Sequence, residues 1–311
     1  YGYEKIPLIF PKKEIVPPEK DFFLSWEDKI KDFLKEAGLT EAYNLSFNSQ
    51  KEILKLSFKK EELLRLKNPL SDKYDCLRPS LIVGLLNNVK NNFRYFKEVK
   101  IFELGKIYKK SKNQIMEKPM LAGVLAQKSK NEELFFEAKG VIDYLFQKMG
   151  IADYYYDEYQ ATPEESPLAL WDPLKTAEIK INNQEVGFLG VIKEEILSQL
   201  KIEGLAVVFD IDFESLIKMA NEEYYYQPLP IYPSAIRDIS LLVPQNVLVE
   251  EVARQIQIAG GELLKDIDLF DIYEGENLPR GRKSLAFHLI FQAEDRTLKS
   301  EEIDSVFNKI V

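Results

Sequence analysis

The stretch LFDIYEGENLPRGRKSLAFHLIF, residues 269–291, reads as two strands around a loop. In its second half Leu285, Phe287, Leu289 and Phe291 fall on one face, and Ser284, Ala286, His288 and Ile290 on the other, because successive side chains of a strand point to opposite sides. The fully apolar set must face a core. In the first half the parity breaks: Ile267 and Leu269 share one face, then Phe270 and Ile272 take over the apolar role. Such a switch predicts a β-bulge at Leu269-Phe270, with Phe270 and Ile272 turned to the core. Asp271 and Tyr273 then project from the opposite, uncovered face, beside Ser284.

Working outward, residues 238–243 form a strand, and Val249, Val252 and Ile256 mark a helix stopped by Gly260-Gly261. A last helix follows Ser300, whose Ser-Glu-Glu context reads as an N-cap with an acidic first turn. The order is β-α-β-β-α. A ferredoxin-like β-α-β-β-α-β unit needs one more strand, so the polypeptide is expected to continue past Val311. NEEYYYQPLPIYPS (221–234) precedes it as a Pro- and Tyr-rich linker, and the unit spans 221–311.

Residues 21–220 alternate helices and strands. Trp26, Ile30, Phe33, Leu34 and Ala37 lie on one helical stripe before Gly38, and Tyr43, Leu45 and Phe47 alternate as a half-buried strand does. The periodicity predicts a helix over 79–96, strands over 99–108 and 120–125, and a long helix over 132–149 ending at Gly150. Strands 177–181 and 186–191 join through Asn182-Asn183, a hairpin signal; a helix near 193–200 and a strand at 206–212 follow. Helices mixed with antiparallel strands make the fold class α+β, not a doubly wound sheet. Residues 1–20 carry Pro7, Pro11, Pro17 and Pro18, which describes an extended linker. The start lacks an initiator Met, so a longer polypeptide is expected, with residues 1–7 as the end of a preceding domain.

The 311 residues are 45% hydrophobic and 30% charged, the balance of a folded protein of about two domains. No apolar run approaches the ~20 residues of a membrane span, and no secretory signal opens the chain. One cysteine, Cys76, excludes an intrachain disulfide and fits a reducing, cytoplasmic compartment. One Cys and one His leave no zinc cluster, no Cys–His dyad with an orienting third group and no HExxH. No phosphate-cradling Gly-rich motif occurs. The net charge of −9 disfavours a sequence-independent nucleic-acid binder. From 222 to 311 there are 9 Lys/Arg against 16 Asp/Glu, a net of −7, so any RNA contact there must be small and directed at bases.

A carboxylate, a hydroxyl and an aromatic ring on one open face, Asp271, Ser284 and Tyr273, can stack an unpaired base and bond its edge. From spacing alone the same residues also describe an ordinary solvated sheet surface. Arg280, Arg282 and Lys283 in the adjoining loop can meet phosphates, or equally cap a solvated hairpin. His288, mid-strand among apolar residues, reads as structural; Cys76 as a packed thiol; the clusters 154–156 and 224–226 as packing or linker-anchoring tyrosines.

LKNPLSDKYDCLRPSLIVGLLNNVKNN (66–92) with VKIFELGKIY (99–108), then YPSAIRDISLLV (232–243) with residues 260–298, resembles the β subunit of bacterial phenylalanyl-tRNA synthetase, in order and over nearly the whole chain. The resemblance implies a degenerate class II synthetase-like antiparallel-sheet module over 21–220, without catalysis of its own, and a ferredoxin-like anticodon-binding domain over 221–311. It implies packing against the catalytic α subunit, through the helix 26–37 and the strand after it, within an (αβ)₂ heterotetramer. It implies contact of Asp271, Tyr273 and Ser284 with the anticodon of phenylalanine tRNA. The complete enzyme uses ATP and magnesium; this chain is expected to hold neither. VGFLGVIKEEILSQL (186–200), where a class II site needs a second arginine, has none; Arg78 and Arg94 remain, with structural roles as the simpler reading. The rivals are an independent class II-like ligase and a scaffold module that binds no RNA.

Overall fold

The computed structural model describes residues 2–10, 12, 16–111, 114–131, 133–158, 170–221, 230–275 and 277–311; the tyrosines 224–226 and Pro11 lie outside them. The chain divides into two units, Tyr1–Tyr224 and Tyr225–Val311.

In chain order the first unit has α1 (Phe22–Glu36), β1 (Thr40–Glu41), β2 (Phe47–Asn48), α2 (Gln50–Lys55), β3 (Cys76–Leu77), α3 (Ile82–Asn92), β4 (Glu98–Ser111), β5 (Gln114–Gln127), α4 (Glu133–Lys148), β6 (Tyr154–Glu158), β7 (Trp171–Ile181), β8 (Gln184–Ile192), α5 (Glu194–Leu200), β9 (Leu205–Asp212) and α6 (Phe213–Met219). Seven strands form one sheet in the order β1-β4-β5-β9-β8-β7-β6. Its pairs are antiparallel except the short β1–β4 pair.

The sheet is buried on both sides. Ile53, Leu85, Leu86 and Ile196 from α2, α3 and α5 join Val124 and Val208 in one core. Ile30, Leu34, Ile142, Phe146 and Leu216 from α1, α4 and α6 join Leu125, Val207 and Phe209 in another. Alternate residues of β5 and β9 feed the two cores, which is why those strands read as continuous apolar runs. Local signals agree with this frame. The Asp21 side chain accepts the Leu24 N–H at 3.0 Å to start α1. Asn182 and Asn183 take φ of 49° and 64° between β7 and β8, as a primed hairpin turn requires.

Two expectations fail here. Tyr43 and Leu45 are not half-buried strand residues: both are exposed, Tyr43 at 93%, and only Phe47–Asn48 pairs, with Cys76–Leu77. The helix expected over 79–96 is shorter, Ile82–Asn92, although Leu81, Leu85, Val89 and Phe93 are all buried. Cys76 is buried, and desolvation pushes its thiol up to about 11. In the cluster 154–156, Tyr156 bonds Asp143 at 2.7 Å, Tyr155 bonds Asn183 at 2.8 Å and Tyr154 packs edge-on to Phe146, so packing is their role.

The second unit has β10 (Ala235–Pro244), α7 (Val249–Gly260), β11 (Leu264–Tyr273), β12 (Arg282–Phe291) and α8 (Ser300–Ile310). Its antiparallel sheet runs β10-β12-β11. Leu285, Phe287, Leu289 and Phe291 are buried with Ile239, Ile256 and Ile303. Both helices therefore cover one face. Lys299, not Ser300, caps α8, and its N–H donates to the Glu302 carboxylate at 3.0 Å.

Candidate nucleic-acid interface

The uncovered face of the β10-β12-β11 sheet is built in rows by strand register. Ser284 stands opposite Tyr273 on one side and Leu242 on the other; Ala286 opposite Asp271 and Ser240; His288 opposite Asp268 and Asp238. Asp271 and Tyr273 reach this face because the register shifts between Leu269 and Asp271. The residue absorbed by that bulge is Phe270, and it does not enter the core. It is 49% exposed and its ring stacks on His288, centroids 4.0 Å apart and planes 17° from parallel. The bulge lies where the alternation predicts it, but Phe270 sits on the open face and not, as expected, in the core. Ile272, opposite Leu285, does lie on the helix side, though it is half-exposed at the strand end.

The polar groups of the face are already oriented. The Ser284 and Ser240 hydroxyls are 2.9 Å apart, which leaves the remaining lone pairs of each for a ligand. His288 Nδ1 lies 2.7 Å from an Asp238 carboxylate oxygen. His288 holds the structural role expected of it, but the linked group that it forms with Asp238 and Phe270 on the open side was not expected. The signal was the even parity that His288 shares with Ser284. Tyr273 is 43% exposed and its ring folds back over Gly275, where an added Cβ would collide with the phenol.

The basic residues separate. Arg280 is exposed in the loop. Arg282 shares the parity of Ser284, and its guanidinium donates to the Leu242 carbonyl at 3.3 Å. Lys283 stands opposite Val243 with the parity of Leu285, so the alternation of the strand puts it on the helix side, apart from Asp271, Tyr273 and Ser284.

The first unit holds a cavity of about 210 Å³ lined by residues including Phe58, Ser80, Lys109, Met120, Phe188 and Asp210. Desolvation pushes the Asp210 carboxyl up to about 6, against the opposing pull of Lys109 and Lys118. Lys118 pairs with Asp212 at 2.8 Å. Glu185, Asp210 and Asp212 line it beside these two lysines, and among the described residues no arginine does. Arg78, the nearest by sequence motif, is turned away: it donates to Glu103 at 2.6 Å and to the Lys106 carbonyl at 2.8 Å. Arg94 is exposed. No described helix is long and apolar enough to cross a membrane.

Comparison with known proteins bears on both units. Residues 6–213 match the family described as the phenylalanyl tRNA synthetase beta chain CLM domain, and residues 230–311 the ferredoxin-fold anticodon binding domain. The chain is 30% identical over 316 residues to the phenylalanine–tRNA ligase beta subunit of Clostridium acetobutylicum, 33% over 326 to that of Halalkalibacterium halodurans and 30% over 326 to that of Thermotoga maritima. Each alignment takes in 100% of this chain but only 39–40% of the relative, so the chain spans about two fifths of their length. Among solved structures, pyrrolysyl-tRNA synthetase from Desulfitobacterium hafniense superimposes with a TM-score of 0.52 at 16% identity, covering 63% of this chain and 68% of that one. A second structure of that enzyme gives 0.51 at 17%, covering 64% and 70%. These two show a shared class II synthetase-like fold. With a beta-chain domain matched over most of the first unit and an anticodon-binding domain over the second, the chain belongs to the phenylalanyl-tRNA synthetase beta chain family.

Proposed function

We propose that this chain acts as the C-terminal part of a phenylalanine–tRNA ligase beta subunit, reading the anticodon of phenylalanine tRNA with its second unit and supporting the catalytic alpha subunit with its first. The carrying observation is the cross-strand pair Tyr273–Ser284 beside Asp271 on an exposed sheet face of a domain that matches an anticodon-binding family. A phenol offers a stacking surface; a hydroxyl and a carboxylate offer edge contacts to an unpaired base. Arg280 and Arg282 are the residues for flanking phosphates, with Lys283 a weaker candidate for the reason of its facing.

Adenylate formation belongs to the partner in this reading, as do ATP and magnesium. The alpha subunit is expected against the exposed apolar residues Tyr43, Leu45 and Phe47 rather than the inner stripe of α1, whose Trp26, Ile30 and Leu34 are buried within the unit. A cytoplasmic (αβ)₂ heterotetramer completes the proposal.

The test is binding of the full chain to a phenylalanine-tRNA anticodon stem-loop and to a scrambled loop at one salt concentration, since phosphate contacts alone vary with salt. Preference for the cognate loop, lost in Tyr273→Ala, is the expected result. Equal weak binding to both loops would favour the scaffold reading, for which the net charge of −7 between residues 222 and 311 speaks.

A further inference from the structure

Phe270 is a large apolar side chain that folding leaves half in water, on a sheet whose other face has a packed core available. Leaving a phenyl ring half outside forfeits part of its burial free energy, which its stack on His288 recovers only in part. His288 in turn is fixed by its bond to Asp238, so the Phe270 ring is presented in one orientation. The row of His288 lies four residues along β12 from the row of Ser284 and Tyr273, roughly 13 Å at the rise of a strand. A base seated on Tyr273 does not reach it.

The surroundings decide what can. Asp238 and Asp268 flank His288 in its row, Asp266 lies one row beyond and Asp271 one row before. Carboxylates repel a phosphate but accept hydrogen bonds from an exocyclic amino group, which adenine and cytosine carry on their pairing edges. We infer that Phe270, backed by His288, is a second stacking platform of this face and takes a second unpaired, amino-bearing base of the same RNA loop. Asp238 and His288 act as positioning residues for that ring. This rests on the anticodon-reading proposal above.

The experiment compares Phe270→Ala, Phe270→Leu and Tyr273→Ala in the full chain, each against the cognate stem-loop and a series of loops with one abasic position. Phe270→Ala is expected to weaken cognate binding roughly ten- to a hundredfold, the range for losing one base–aromatic stack. Phe270→Leu, which keeps apolar bulk and so reports on folding, is expected not to restore it. One abasic loop, different from the one matched to Tyr273, is expected to bind Phe270→Ala and the parent equally. Parent-like binding by Phe270→Ala while Tyr273→Ala loses affinity would overturn this inference and leave the anticodon reading standing. Full restoration by Phe270→Leu would overturn it too, since leucine cannot stack. If neither Tyr273→Ala nor Phe270→Ala changes binding, the anticodon reading falls and this inference with it.

Discussion

Arg78 and Glu103 face each other at 2.6 Å with side chains only 7% and 1% exposed, tying the loop before α3 to the middle of β4. The guanidinium also donates to the Lys106 carbonyl, and the other Glu103 oxygen accepts from the Asn44 side-chain amide at 2.6 Å. Each charge is thus compensated by several bonds, the condition under which a buried pair persists. Replacing one partner, in Arg78→Ala or Glu103→Ala, is expected to cost about 3–5 kcal/mol in urea unfolding, because the other charge is left buried alone. The paired replacement Arg78→Met with Glu103→Leu is expected to cost less than either.

Gly105 lies directly beneath that guanidinium, so an added Cβ would collide with Arg78. Gly105→Ala should therefore displace the ion pair and lower stability, by an amount that shrinks strongly in the Arg78→Met background. Equal losses in both backgrounds, in a double-mutant cycle, would disconnect the glycine from the pair.

Asp210 makes stability depend on pH. Burial raises its carboxyl from 3.8 to about 6, so the folded state holds that proton more tightly than the unfolded chain. The contribution is fully present below pH ~4 and is lost as pH rises through about 6. Asp210→Asn is expected to stabilise the first unit by roughly 3 kcal/mol at pH 7.5 and to be near neutral at pH 4. Denaturation midpoints at the two pH values check the sign.

Arg280→Ala is expected to weaken stem-loop binding similarly for cognate and scrambled loops and to reduce the slope of log affinity against log salt by about 1, the behaviour of a phosphate contact. Tyr273→Ala should instead lose roughly 1–3 kcal/mol on the cognate loop with the salt slope unchanged.

Tyr43→Asp and Leu45→Asp alter exposed apolar residues that the fold itself does not bury. They are expected to leave the unfolding midpoint within about 0.5 kcal/mol of the parent while weakening co-purification with the alpha subunit.

Much of this architecture was legible because neighbouring residues carried it. The stripe Trp26, Ile30, Leu34 is buried along α1; Asn182-Asn183 turns the β7–β8 hairpin, and Gly150, at φ 68°, follows the end of α4. What stayed hidden depended on distant partners. Tyr43, Leu45 and Phe47 alternate like a strand, but only Phe47 finds a neighbour to pair with. β4 and β5 run past their expected ends because each strand pairs with the other from Lys109–Met116 out to Ser111–Gln114, beyond the stretch of β4 that the apolar pattern marks. On the open face, parity placed Asp271, Tyr273 and Ser284 together. It could not tell which residue of Leu269-Phe270 the bulge would absorb, since both are apolar and either choice restores the alternation.

That one absorbed residue in β11 has an evolutionary consequence. Core-facing Leu269 and Asp271 on the open face are kept in phase only by the extra step between them. Losing a residue there would exchange the two sets of side chains, sending a carboxylate inward and leucine outward. Substitutions can therefore change this face one side chain at a time, whereas an insertion or deletion in β11 would disturb the face and the packing beneath it together. Variation of the open face along this strand is confined to point replacement.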